Sequence, residues 1–124
     1  MTDFETVHTR LREILMRQRG DLAVTKDGPG GVALEIPGLE GKPWGYIAGT
    51  RVGKSYVSYY LMPVYATPEL AETLSPELRK RMQGKACFNF TKVDDGLLAE
   101  LEALTATSIT AFRPIAEERA AARA

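Results

Sequence analysis

Residues 48–55 read AGTRVGKS, matching the [AG]-x-x-x-x-G-K-[ST] pattern of a nucleotide-binding P-loop. A working P-loop needs a strand before it and, directly after the Lys-Ser, a helix whose first amides hold phosphate. The residues that follow, SYVSYYLMPVY (55–65), are rich in β-favouring side chains and carry an early proline. A nucleotide site also needs an acidic magnesium ligand on a second, parallel strand, and no such strand can be placed. The string is therefore expected to be a hairpin connection from Thr50 to Lys54, with Gly53 at a positive-φ position.

Other reactive side chains are few. Cys87 is the one cysteine and His8 the one histidine, 79 positions apart. They cannot build a closed Cys/His zinc site, and nothing pairs them as nucleophile and base. No catalytic constellation emerges, and the chain is expected not to be an enzyme. Two features point to binding instead. Residues 42–92 hold eight basic residues against three acids, although the whole chain is neutral with 16 of each sign. Arg79, Lys80, Arg81 and Lys85 are the densest part, explained in the simplest case by a helix C-terminus. Joined to Arg51 and Lys54, they would make an anion-binding surface, since arginine suits forked recognition of carboxylate or phosphate. The second feature is the aromatic group Trp44, Tyr46, Tyr56, Tyr59, Tyr60 and Tyr65, either core edges or the walls of a ligand pocket. Alternation puts Tyr56 and Tyr60 on one face and Tyr59 and Tyr65 on the other. The expected ligand contacts are Tyr60, Tyr46, Arg81 and Lys85, with Arg51 and Lys54 at the rim.

The elements that must position these residues read clearly. Phe4, Val7, Leu11, Ile14 and Leu15 make one helical stripe after a Thr2-x-x-Glu5 capping signal, and Gly20 stops the helix. Strands are expected at 22–26, 32–36, 44–49 and 55–65, with Pro63 at a strand end or edge. A helical turn covers 67–74, with Pro68 at its first position. Ser75-Pro76-Glu77 opens a helix running to Gly84. Residues 85–92 alternate as a half-buried strand that turns Cys87 away from Phe88 and Phe90. Asp94 or Asp95 caps a last helix with the stripe Leu97, Leu98, Leu101, Leu104. Strands joined by short turns cannot be parallel. The fold class is α+β: an antiparallel sheet of about five strands with N- and C-terminal helices on one face, in the order α-β-β-β-β-α-β-α. One domain spans 1–113, followed by a charged, Ala-rich tail over 114–124.

The chain also resembles the YdhG-like family of small bacterial proteins, largely of unknown function. The similarity runs through VSYYLMPVY (57–65), SPELRKRMQGKACFNF (75–90) and VDDGLLAELEALT (93–105). Its signature, Ser-Pro-Glu-Leu…Met-x-Gly-Lys-x-Cys-x-x-Phe, is matched by Ser75 to Leu78, Met82, Gly84, Lys85, Cys87 and Phe90. In the family a His often precedes the Leu-Met-Pro, where this chain has Tyr60. The resemblance implies a frataxin-like α+β fold and, for some relatives, an intracellular iron chaperone using acids of the first helix. Here Asp3, Glu5 and Glu13 are interleaved with four arginines, so no specific iron ligand is carried over. The expected function is a non-enzymatic small-ligand or partner-binding module, with the iron chaperone as alternative. The single cysteine and the charged N-terminus suggest the cytosol. Neither nucleic acid nor membrane is expected as partner, and the chain is expected to be a monomer or weak homodimer.

Overall fold

The computed structural model describes residues 4–42, 45–67, 69–84 and 86–122, the side chains of Ala66 and 119–122 excepted. The elements are α1 (Phe4–Gln18), β1 (Ala23–Gly28), β2 (Gly31–Glu35), β3 (Tyr46–Val52), β4 (Val57–Leu61), α2 (Met62–Ala66), α3 (Glu69–Glu72), α4 (Pro76–Arg79), β5 (Cys87–Phe90) and α5 (Asp95–Ala122). The strands form one antiparallel meander in the order β1-β2-β3-β4-β5. The fold is the α+β architecture expected from the sequence. Among the described residues, no helix is long and apolar enough to cross a membrane.

The core lies between one sheet face and the helices. From α1 it takes Val7, Leu11, Ile14 and Leu15, the stripe read from the spacing. From the sheet come Leu34, Val57, Tyr59, Leu61, Phe88 and Phe90, and from α5 Leu97, Leu98, Leu101 and Leu104. Each large side chain so buried contributes roughly 1.5–3 kcal/mol relative to exposure. Gly20 follows the end of α1, and a side chain would strain its φ of +55°. Asp94 caps α5, its carboxylate accepting the Leu97 N–H at 3.1 Å.

Three arginines of α1 tie it to β1 and to α5 at the exposed rim. Arg12 forks onto Asp27 at 2.8 and 2.6 Å, and Arg17 onto Glu102 at 2.9 and 2.7 Å. Arg10 reaches Asp95 at 2.6 Å. The hydrogen bonds from Arg17, and then from Gln18, pull the Glu102 carboxyl down to about 2.

Several boundaries differ from the reading of the sequence. Gly53 has no positive φ; the glycines that do are Gly20, Gly38, Gly41 and Gly84. Its N–H bonds the Tyr56 carbonyl at 2.9 Å, and a Cβ there would sit 3.1 Å from that oxygen. Close approach, not handedness, selects the glycine. The strand expected through 65 ends at Leu61, because Pro63 lies in the first turn of α2. Tyr65 is consequently outside the sheet and 58% exposed, not on the face of the fully buried Tyr59. Ser75 caps α4 as expected, accepting the Leu78 N–H, but the helix lasts one turn instead of reaching Gly84. Arg81–Gln83 extend instead along the free edge of β5: Asn89 N–H bonds Arg81 O at 2.8 Å and Gln83 N–H bonds Cys87 O at 2.9 Å. Helix α5 continues through Pro114 to Ala122. Phe112 and Ala116, on either side of the proline, are buried, and Arg113 pairs with Asp21. The expected Thr2 cap, Trp44 and Pro68 lie outside the described residues.

Two buried polar contacts fasten the helices to the sheet. His8 Nε2 lies 2.7 Å from Thr50 Oγ1, which also accepts the Val32 N–H at 3.0 Å. Tyr59 Oη lies 2.6 Å from Thr105 Oγ1, which donates to the Leu101 carbonyl at 2.8 Å. Because the Thr105 proton is spent on that carbonyl, Tyr59 is the donor. The two contacts predict different costs. Tyr59→Phe removes one buried hydrogen bond and should cost about 1 kcal/mol in urea unfolding. Thr105→Val strands the Tyr59 hydroxyl without an acceptor and should cost about 1–3 kcal/mol. Equal losses in the two variants would contradict this hydrogen-bond polarity.

His8 predicts a pH dependence. Burial, and then the Arg12 charge, lower its pKa below the usual imidazole value, with Asp27 opposing. The unfolded chain therefore takes up the proton more readily, so stability is full above about pH 6.5 and declines as pH falls below it. The carboxylates held low by arginine act only at more acidic pH. The urea midpoint should drop between pH 7.5 and 5.5 in the native chain, and His8→Gln should flatten that slope.

Candidate functional site

Alternation along β3 and β4 decides what the other face of the sheet carries. With Ala48, Thr50, Tyr59 and Leu61 buried toward the helices, Gly49, Arg51, Ser58 and Tyr60 point the opposite way. A bulge between Leu34 and Glu35 shifts the register, letting Ile47 and Ala48 both be buried while Tyr46 joins the opposite face. Cys87 and Asn89 continue that face on β5, where Cys87 pairs with Tyr60 and Asn89 with Ser58. It lies opposite the helices α1 and α5.

At its β3–β4 end lies a cavity of about 310 Å³ lined by Arg51, Gly53, Lys54, Ser55, Tyr56, Ser58 and Tyr60. AGTRVGKS is thus a hairpin: β3 runs to Val52, β4 starts at Val57, and Lys54-Ser55 form the tip. Tyr56 and Tyr60 share this face, as alternation required. Of the six expected contacts, Arg51, Lys54 and Tyr60 are brought together here. Tyr46 stands beside Tyr60, over Gly49; a Cβ at Gly49 would collide with Tyr46 Oη and the Val32 carbonyl. Burial, with the Tyr60, Glu35 and Cys87 groups adding to it, pushes the Tyr46 hydroxyl up to about 12. Arg81 does not line the cavity. It belongs to the strip added outside β5, with the bonded Ser58–Asn89–Gln83 chain between. Lys85 lies outside the described residues.

The charge around the cavity is unspent. Its lining contains no Asp or Glu, and among the described residues neither Arg51 nor Lys54 has an ion-pair partner. Glu35, on the same sheet face, accepts the Thr25 hydroxyl and the Gly41 N–H. Several other arginines are engaged: Arg79 bonds the Ala71 carbonyl at 2.7 Å and Arg19 the Leu22 carbonyl at 2.9 Å. A larger hollow of about 470 Å³ lies between α1 and the β1–β2 turn. There Arg12 and Asp27 neutralise each other, and the other charged residue of the lining is the acid Glu5, so no cation is left for an anion.

Cys87 and His8 fall on opposite faces of the sheet and cannot act together. The Cys87 thiol approaches Asn89 Oδ1 at 3.4 Å, and burial pushes its pKa up, against thiolate chemistry. Among the described residues no group of three or more His, Cys, Asp or Glu side chains is arranged to hold a metal ion. Ser55 and Ser58, which the residue types alone did not mark, are the additional cavity residues. The period-2 pattern could have found Ser58, midway between Tyr56 and Tyr60.

No protein-family model, no curated protein and no solved structure matches the chain.

Proposed function

We propose that the protein is a non-enzymatic binding module that holds a small anionic ligand on the sheet face opposite α1 and α5, in the β3–β4 cavity. One observation carries this reading: Arg51 and Lys54, both unpaired, converge with Tyr56 and Tyr60 on a cavity without a carboxylate. A cation left without a partner beside a concave, partly aromatic surface is poised to pair with an anion from solution. The volume of about 310 Å³ suits a small molecule rather than a polymer. The iron-chaperone reading that follows from the YdhG-like resemblance has less support. The acids facing α1 (Asp27, Asp95 and Glu102) are held by Arg12, Arg10 and Arg17, so ferrous iron would have to displace guanidinium groups.

Native mass spectrometry of the freshly purified protein, with a thermal-shift panel of small carboxylates and phosphates, tests the proposal. A binding anion at a hundred times its Kd adds about 2.7 kcal/mol, so the midpoint should rise by several degrees. The Arg51→Ala/Lys54→Ala double variant should lose that rise while keeping its own midpoint, because both side chains are exposed. A panel in which no anion raises the midpoint by one degree, with anaerobic ferrous iron retained instead, would favour the chaperone.

A further inference from the structure

The donors around the cavity point to the kind of anion it takes; this inference rests on the binding reading above and narrows it. We infer that the β3–β4 hairpin binds the phosphate dianion of a small aromatic or planar phosphomonoester, not a carboxylate.

Donor supply is the first reason. Gly53 N–H is spent on the Tyr56 carbonyl. Among the described residues, the next three backbone amides, those of Lys54, Ser55 and Tyr56, find no acceptor. Arg51 adds a guanidinium fork and Lys54 an ammonium, and the Ser55 and Tyr60 hydroxyls bond to no other described residue. A carboxylate offers two oxygens, whereas a phosphomonoester offers three terminal oxygens in a tetrahedron. The hairpin thus holds more donors than a carboxylate can accept.

Charge is the second reason. Two unpaired cations and no acid give the lining a formal charge of plus two. A phosphomonoester carries close to two negative charges at neutral pH, its second pKa being about 6. A monocarboxylate would leave one cation uncompensated.

The wall is the third. Tyr60 flanks the cavity, and Tyr46 stands behind it with a hydroxyl that has no hydrogen-bond partner among the described residues. Ser58, 5% exposed, gives its proton to Asn89 Oδ1 at 2.7 Å and so presents an acceptor to the cavity. The remainder of the ligand therefore meets an aromatic side and an acceptor, while the phosphate meets the hairpin tip. Lys54-Ser55, the pair closing the P-loop-like string, contributes at a β-hairpin tip instead of a helix N-terminus.

Calorimetric titration of the full chain with phenyl phosphate, benzoate and inorganic phosphate tests this. Phenyl phosphate should bind at least ~10-fold tighter than benzoate at pH 7.5, since charge-assisted contacts to each added oxygen are strong ones. Its affinity should fall by about fourfold at pH 5.5, as the second phosphate proton returns. Arg51→Ala and Lys54→Ala should each weaken it by ~10-fold without moving the unliganded midpoint. Benzoate binding as tightly as phenyl phosphate, or both variants binding phenyl phosphate as tightly as the native chain, would overturn the inference. Inorganic phosphate matching phenyl phosphate would overturn the assignment to an aromatic ester. Benzoate-preferring binding lost in the variants would overturn the phosphate assignment alone. Binding of none of these or the panel's other anions would overturn the binding reading with it.

Discussion

Thr50 and Tyr59 are partners across the β3–β4 pair, and both hydroxyls leave the sheet toward the helices. Thr50 meets His8 of α1, and Tyr59 meets Thr105 of α5. One cross-strand pair therefore carries the buried polar attachment of both helices that roof the sheet. Apolar contact alone tolerates sliding, because dispersion has little direction. A buried hydroxyl does not, because losing its partner costs about 1–3 kcal/mol. The pair thus acts against register slip, which would also turn each strand's apolar set toward solvent.

The same alternation makes the cavity. Once Thr50 and Tyr59 face inward, Gly49, Arg51, Ser58 and Tyr60 must face outward, on the side opposite the helices α1 and α5. A polar group placed inside to hold the helices and a cation placed outside to meet a ligand are neighbours along one strand. This arrangement divides the charged residues by task. The arginines of α1 are consumed by Asp27, Asp95 and Glu102 at the rim between layers, while Arg51 and Lys54 are left over at the hairpin. Total charge, zero over the chain, conveys none of this.

Much of the fold was legible because it rests on local periodicity. The stripe of α1, the alternation of Ala86, Phe88 and Phe90, and the β-rich run after Lys54 each report a face or an element directly. That last run was enough to read AGTRVGKS as a turn. What was not legible depended on partners distant in sequence. Residues 80–83 have helical propensity, yet the free edge of β5 needs a donor and an acceptor, which Gln83 N–H and Arg81 O supply. That pairing shortens α4 and carries Arg81 away from the cavity. Pro114 lies inside α5, where an internal proline costs about 3 kcal/mol. Burial of Phe112 and Ala116 and the Arg113–Asp21 pair, made with a residue 92 positions earlier, offset that cost. Half of the expected contacts, Arg51, Lys54 and Tyr60, meet in the cavity because they share one hairpin, where sequence distance and spatial distance agree.

The hairpin also shows why a short motif is a poor guide to mechanism and yet not empty. In a P-loop, phosphate affinity comes from amides aligned at a helix N-terminus, with lysine folding back over them. Here the residues after the Lys-Ser form a strand, so no helix dipole is available. What survives the change of fold is local: a glycine permitting close approach at Tyr56 O, amides left unpaired by a four-residue connection, and a lysine and a serine at its tip. Those are properties of a tight turn wherever it occurs. A second cation two residues before the glycine then depends on strand alternation, which lifts Arg51 onto the cavity side. The chemistry of anion contact thus follows from turn and pleat, without nucleotide-binding topology.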